Sequence, residues 1–206
     1  MDEITFPARI MRRFIETLSA EIGQETFSAV LSNAGLPEEW AFPAHFVALD
    51  DVRIAQAYSR LQFALRTYYG RGARGILLRV GSKLWHHLLA DSAFGIKTQA
   101  TFIRGLPKSM RRKPTLELMA RILSTAPGNM TVHTLDLDLL VVDQASPTTI
   151  DQSDESPICF VTLGLIRECL FWADGQQHDI EERACRALGA RHCEFKIIIG
   201  GWNETF

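Results

Sequence analysis

Residues 157–197 read PICFVTLGLIRECLFWADGQQHDIEERACRALGARHCEFKI, and the fold class turns on them. Ser156-Pro157 is a helix start, an N-cap oxygen followed by proline at the first helical position. From there the spacing predicts a helix to about Trp172. Ile158, Val161, Leu165 and Cys169 form one apolar stripe, and Leu163, Ile166 and Leu170 form a second. A helix apolar on nearly all sides is a buried one. Two strands follow, His178 to Ala184 and Cys193 to Ile199, joined by the short glycine-containing link Arg186 to His192. They read as a hairpin, with Cys193, Phe195, Ile197 and Ile199 on one face and Glu194 and Lys196 on the other.

All four cysteines of the chain, Cys159, Cys169, Cys185 and Cys193, fall in this region, which favours a local site over a global staple. Cys185 and Cys193 flank the hairpin turn, and Glu182 precedes Cys185 by three residues. Cys159 is expected as the third residue of the buried helix, where the helix dipole favours a thiolate. Three thiolates and one carboxylate can close a tetrahedral zinc site. Cys169 is placed in the core instead. It lies ten residues beyond Cys159, or ~15 Å of helical rise, whereas two sulfurs on one zinc stand within about 4 Å. Two conditions attach. In an ideal strand Glu182 and Cys185 point to opposite faces, so the strand must end or bulge between them. The set also carries excess negative charge, which Arg183, Arg186 and Arg191 are near enough to offset. His178 and His192 are rival ligands, and three core cysteines beside a solvated glutamate are the plain alternative.

Working outward, the 206 residues are 47% apolar, with 22 Lys+Arg against 24 Asp+Glu and a formal charge of −2. That excludes a disordered chain and a generic polycation for nucleic acid or membrane surfaces. Residues 7–34 read as two helical segments, closed by Asn33-Ala34-Gly35-Leu36-Pro37. Residues 38–49 read as irregular and aromatic. Asp50-Asp51 opens a further helix, Gly70 to Gly75 interrupts, and another helix runs through Ile76, Val80, Leu84 and Leu88. Pro114 is expected to start the next. Thr134 to Val142 alternates and predicts one strand, and 143–156, polar and breaker-rich, predicts a mobile surface loop. The sum is an α+β protein: N-terminal helices packed on an antiparallel sheet with a buried crossing helix. An N-terminal helical segment (1–49) and a ligand-binding domain (50–206) are expected to form one compact unit. No stretch reaches the ~18 apolar residues of a membrane span, and no signal pattern opens the chain, so a cytoplasmic protein is expected.

Other signals carry little chemistry. Gly70-Arg71-Gly72-Ala73-Arg74-Gly75 fits G-x-G-x-x-G, but a helix-periodic segment precedes it, so a helix–helix turn is the better reading. Arg71 and Arg74 at that helix start could hold an anionic ligand group. Lys108, Arg111, Arg112 and Lys113 read as a solvated helix start. His86-His87 beside Trp85 read as a half-buried pair. No nucleophile–base pair of recognisable spacing occurs, so an enzyme is not expected.

The cysteine at the head of a glycine-containing apolar helix, then Glu-x-x-Cys, then Gly-x-x-x-Cys-x-Phe, resembles the 4-vinyl reductase domain family, as does the upstream YYGRGARGILLRVGSKLWHHLL. The resemblance is good over about 127–199 and extends from about 50. It implies the fold of phenol-responsive sensory domains, haem-based nitric-oxide sensors and Golgi vesicle-tethering subunits, with an apolar cavity. It implies a structural zinc held by Cys159, Glu182, Cys185 and Cys193, a small apolar ligand, and a homodimer. The phenol sensors' pocket histidine and tryptophan have no counterpart at the corresponding offsets before Cys159. Trp85, Phe94 and Phe102 are the expected cavity walls. A sensory or binding module standing alone is the expected role. The alternatives are an accessory protein of bacteriochlorophyll synthesis, as vinyl-tetrapyrrole carrier or reductase, and an assembly or tethering subunit.

Overall fold

The computed structural model describes residues 3–42 and 49–199. Residues 43–48 of the irregular aromatic segment lie outside the described residues. Among the described residues, seven α-helices and four strands follow in order: α1 (Ala8–Ile22), α2 (Gln24–Asn33), α3 (Asp51–Tyr69), α4 (Gly72–Asp91), α5 (Phe94–Gly105), α6 (Lys108–Leu123), β1 (Met130–Leu135), β2 (Asp138–Asp143), α7 (Phe160–Asp174), β3 (Asp179–Ala184) and β4 (Cys193–Ile198). The architecture is α+β. N-terminal helices pack against one antiparallel sheet of order β1-β2-β4-β3, and α7 crosses between β2 and β3. A continuous apolar core runs from Ile10, Phe14 and Leu18 on α1 to Phe195 and Ile197 on β4.

Most elements form where periodicity places them. Asp50 caps α3 by accepting the Arg53 N–H at 2.8 Å, and Gly175, in the left-handed conformation, ends α7. The main helix contact is α4 on α7. It is made through glycines: a Cβ on Gly81 would stand 2.1 Å from the Val161 carbonyl oxygen, and one on Gly164 2.2 Å from that of Leu78. The two backbones touch because neither glycine carries a side chain.

Four expectations are corrected. Thr134 to Val142 is two strands: β1 and β2 pair antiparallel around a tight turn at Asp136-Leu137, where Asp136 takes φ 53°. Alternation continues through such a turn, so periodicity alone does not reveal it. Pro114 lies inside α6, which already begins at Lys108. Residues 143–156 are anchored, with Ser146, Thr148 and Thr149 buried. Ser59 Oγ donates to the carbonyls of Thr148 and Ile150, and Gln62 donates to Thr148 Oγ1, so this polar segment is satisfied by buried side chains of α3. Lastly, α7 starts at Phe160, not at Pro157, and Cys159 is its N-cap residue, its carbonyl accepting from Leu163 N–H.

Candidate metal centre and interior cavity

Three elements bring the sulfurs together. The cap position puts Cys159 at the head of α7, Cys185 follows β3, and Cys193 opens β4. Glu182 reaches the same point through a bulge. Its register partner is Phe195, but Ala184 pairs with Glu194, so Arg183 is an extra residue. One extra residue cancels the alternation that would otherwise set Glu182 and Cys185 on opposite faces. The ligand atoms of Cys159, Glu182, Cys185 and Cys193 all lie within 4.8 Å of one another, and all four residues are buried. Cys159 Sγ stands 3.6 Å from Cys193 Sγ and 4.0 Å from Cys185 Sγ. Sulfurs sharing a tetrahedral ion at ~2.3 Å would be about 3.8 Å apart.

The surroundings of the cluster are those of an anion cage. Glu182 Oε2 accepts the Cys159 N–H at 3.1 Å, while Oε1 is buried with no partner among the described residues. Cys193 Sγ accepts the Arg186 N–H at 3.4 Å, and Ser146 Oγ lies 3.5 Å from Cys159 Sγ. Burial, then the neighbouring Cys185, push the Glu182 carboxyl up to about 8. Hydrogen bonds to Cys185 and Cys193, then burial, push the Cys159 thiol up. At Cys193 a bond from Cys159 favours the thiolate, but the bond to Cys185 and burial outweigh it, and its pKa rises too. Cys185 moves down because Cys159 and Cys193 donate to it. Without a cation the group therefore holds few of its possible charges, and an orphaned carboxylate oxygen is the sign of a missing partner. The donor set fits a thiophilic metal ion, and the four residues could coordinate one.

The rivals are engaged elsewhere. His178 Nε2 lies 3.0 Å from Asp174 Oδ2 and His192 Nε2 2.7 Å from Glu194 Oε1. Cys169 is in the core, its Sγ donating to the Thr115 carbonyl. Of the arginines, Arg183 pairs with Glu194, and Arg186 serves the cluster through its backbone N–H while its guanidinium donates to the Gln144 carbonyl.

A cavity of about 50 Å³ lies between the N-terminal helices, β2 and α7, walled by Phe6, Ile10, Tyr58, Leu84 and Leu165 with Asp143 as its buried carboxyl. Burial pushes Asp143 up to about 6, against an accepted Ala145 N–H. Of the expected wall residues, Trp85 is fully buried in the core, edge-on to Trp172, but its neighbour Leu84 lines the cavity. Phe94 and Phe102 are 85% and 70% exposed, on the outer face of α5, and do not line this cavity. His86 and His87 are exposed, not half-buried. Asp143 and Ser146 escape the sequence reading because the pocket and the cluster they face are built from distant segments. Only the position of Asp143 at the end of an alternating run marks it in the sequence.

No protein-family model matches the chain, and no curated protein does. Solved structures do. An H-NOX protein from S. oneidensis in the Fe(II)NO ligation state superposes with a TM-score of 0.58 at 13% identity, covering 93% of this chain and 98% of that one. The unliganded Fe(II) H-NOX protein from K. algicida gives 0.51 at 12%, covering 92% and 94%. The phenol-responsive sensory domain of the transcription activator PoxR, with phenol, gives 0.50 at 16%, covering 72% and 76%. At such identities the likeness is one of fold, and the chain has the fold of these sensory domains.

Proposed function

We propose that this chain is a non-enzymatic ligand-binding or sensory module. In this reading a structural zinc ion held by Cys159, Glu182, Cys185 and Cys193 locks α7 to the β3–β4 hairpin. A small apolar ligand occupies the cavity under α1, α3 and α7. The observation that carries it is the mainly apolar pocket beside the buried Asp143 carboxyl, on a fold shared with the H-NOX proteins and the PoxR sensory domain. Zinc is favoured over harder ions because three of the four donors are thiols. As a structural ion with all four positions filled by protein, it would tie the chain and leave no open site for chemistry.

The cavity volume bears on the ligand. At about 50 Å³ it is well below the ~150 Å³ that accommodates benzene in an engineered core. It suits a molecule of a few heavy atoms, not a tetrapyrrole, and this weighs against the vinyl-pigment carrier implied by the 4-vinyl reductase resemblance. A cytoplasmic homodimer completes the reading, two-fold dimers being the commonest oligomers.

The test is native mass spectrometry of the purified chain with metal analysis. The expected result is one zinc per chain and, on titration with small alcohols and light hydrocarbons, an adduct that Leu165→Trp, which fills the cavity, abolishes. A zinc-loaded chain that takes up none of them overturns the ligand reading.

A further inference from the structure

The chain distributes its charge unevenly. Residues 92–116 contain Lys97, Arg104, Lys108, Arg111, Arg112 and Lys113 and no Asp or Glu, in a protein whose formal charge is −2. Most residues of the same segment are exposed. α5 rests chiefly on α6, and only Ala100 and Ile103 of its residues are buried. Phe94 and Phe102, spaced by eight residues or ~12 Å along the helix, face outward, followed by Met110, 59% exposed, at the start of α6. Helical spacing sets Lys97 and Arg104 along one flank of that outward face and the two phenylalanines along the other.

Three of the six cations have duties within the fold. Arg111 donates to the carbonyls of Leu106 and Ala173, Arg112 binds Asp174, and Lys113 reaches Thr134. Lys97 and Lys108 have no such partner among the described residues, and Arg104 lies exposed over the Trp172 ring. Aromatic and apolar side chains bordered by unpaired cations are the composition of a helix that lies in the plane of a charged bilayer interface. A second copy of this chain fits poorly, because a two-fold contact through this face would set Lys97 and Lys108 against their own kind. Among the described residues no helix is long and apolar enough to cross a membrane.

We propose that the outer face of α5 and the start of α6 form a peripheral docking surface for an anionic lipid bilayer, with Phe94, Phe102 and Met110 entering the headgroup–acyl boundary and Lys97, Arg104 and Lys108 meeting acidic headgroups. The proposal is independent of the metal cluster and of the cavity.

The experiment is co-sedimentation of the full chain with vesicles of phosphatidylcholine alone and with roughly a third phosphatidylserine. The chain is expected to bind the acidic vesicles, to ignore the neutral ones, and to be released by about 0.5 M salt. Phe94→Ser/Phe102→Ser and Lys97→Glu/Lys108→Glu should each lower partitioning ~10-fold or more, with unchanged circular dichroism, since all four side chains are exposed. Failure of the folded chain to bind acidic vesicles overturns the proposal. So does equal binding to neutral ones, or binding that neither double variant alters. A dimer by light scattering that Phe94→Ser/Phe102→Ser disperses assigns the face to a second copy and overturns it as well.

Discussion

At its C-terminal end α7 buries Asp174, whose side chain is 1% exposed, and near its N-terminal end it meets Glu182, also buried. The two carboxylates are served in opposite ways. Asp174 accepts from Arg112 Nε at 2.6 Å and from the Gln176 N–H at 2.9 Å, with His178 Nε2 at 3.0 Å. Burial alone would raise its pKa, but the bonds led by Arg112 outweigh burial and hold it low. Glu182 receives one backbone N–H, faces three sulfurs, and is pushed up to about 8. A buried anion matched by protein cations is complete as folded. One enclosed by sulfur is completed only by a cation from solution.

The strongest way to break this contrast is to deny the sulfur end its ion. Chelation, or Cys185→Ser, should remove bound zinc and on the order of 5 kcal/mol of stability or more, read as metal content and thermal midpoint. An unchanged midpoint after metal loss would erase the distinction between the two ends. Asp174→Asn should cost about 3 kcal/mol at neutral pH through half-buried Arg112 losing its charge partner, with zinc content intact. The pKa of Asp174 is lowered by folding, so its contribution is present above the ordinary carboxylate range and lost as pH falls through its folded value. The gap between variant and parent, measured by denaturant unfolding, should therefore close below about pH 4. Between the two ends, Gly81→Ala forces a methyl against the Val161 carbonyl and should cost about 3 kcal/mol, equally with and without metal. Cys169→Ala should cost only about 1 kcal/mol and leave zinc stoichiometry untouched, separating the core thiol from the cluster thiols. A last refinement needs no variant. Cys159, Cys193 and Glu182 hold protons at neutral pH, so zinc uptake should release them, measurable with an indicator dye, and affinity should fall as pH falls.

The cluster was legible because its residues carry rare chemistry at short spacing. The rise of a helix alone separated Cys169 from Cys159, and strand alternation alone showed that a bulge or strand end was required before Glu182 and Cys185 could meet. The structure supplies that bulge at Arg183. What periodicity could not show was anything set by long-range partners. Residues 143–156 look like a free loop until Ser59 and Gln62, some ninety residues earlier, satisfy their carbonyls and hydroxyls. Phe94 and Phe102 look like core by composition, but α5 turns them outward because its narrow inner face is filled by Ala100 and Ile103. The tight turn at Asp136 is invisible because apolar residues alternate straight through it.

The bulge also fixes what the hairpin can tolerate. Strand geometry counts in twos, and Arg183 makes the count odd between the carboxylate and its nearest thiol. Straightening the strand with Arg183 kept would turn one donor toward solvent without altering any donor's identity, whereas deleting Arg183 would leave the two donors an even count apart and on one face. The link from Cys185 to Cys193 obeys no such arithmetic, since it is a 3-10 turn closed at Gly189. Substitutions within that link are matters of local shape, whereas losing the bulge at Arg183 without losing a residue acts as a frameshift in three dimensions.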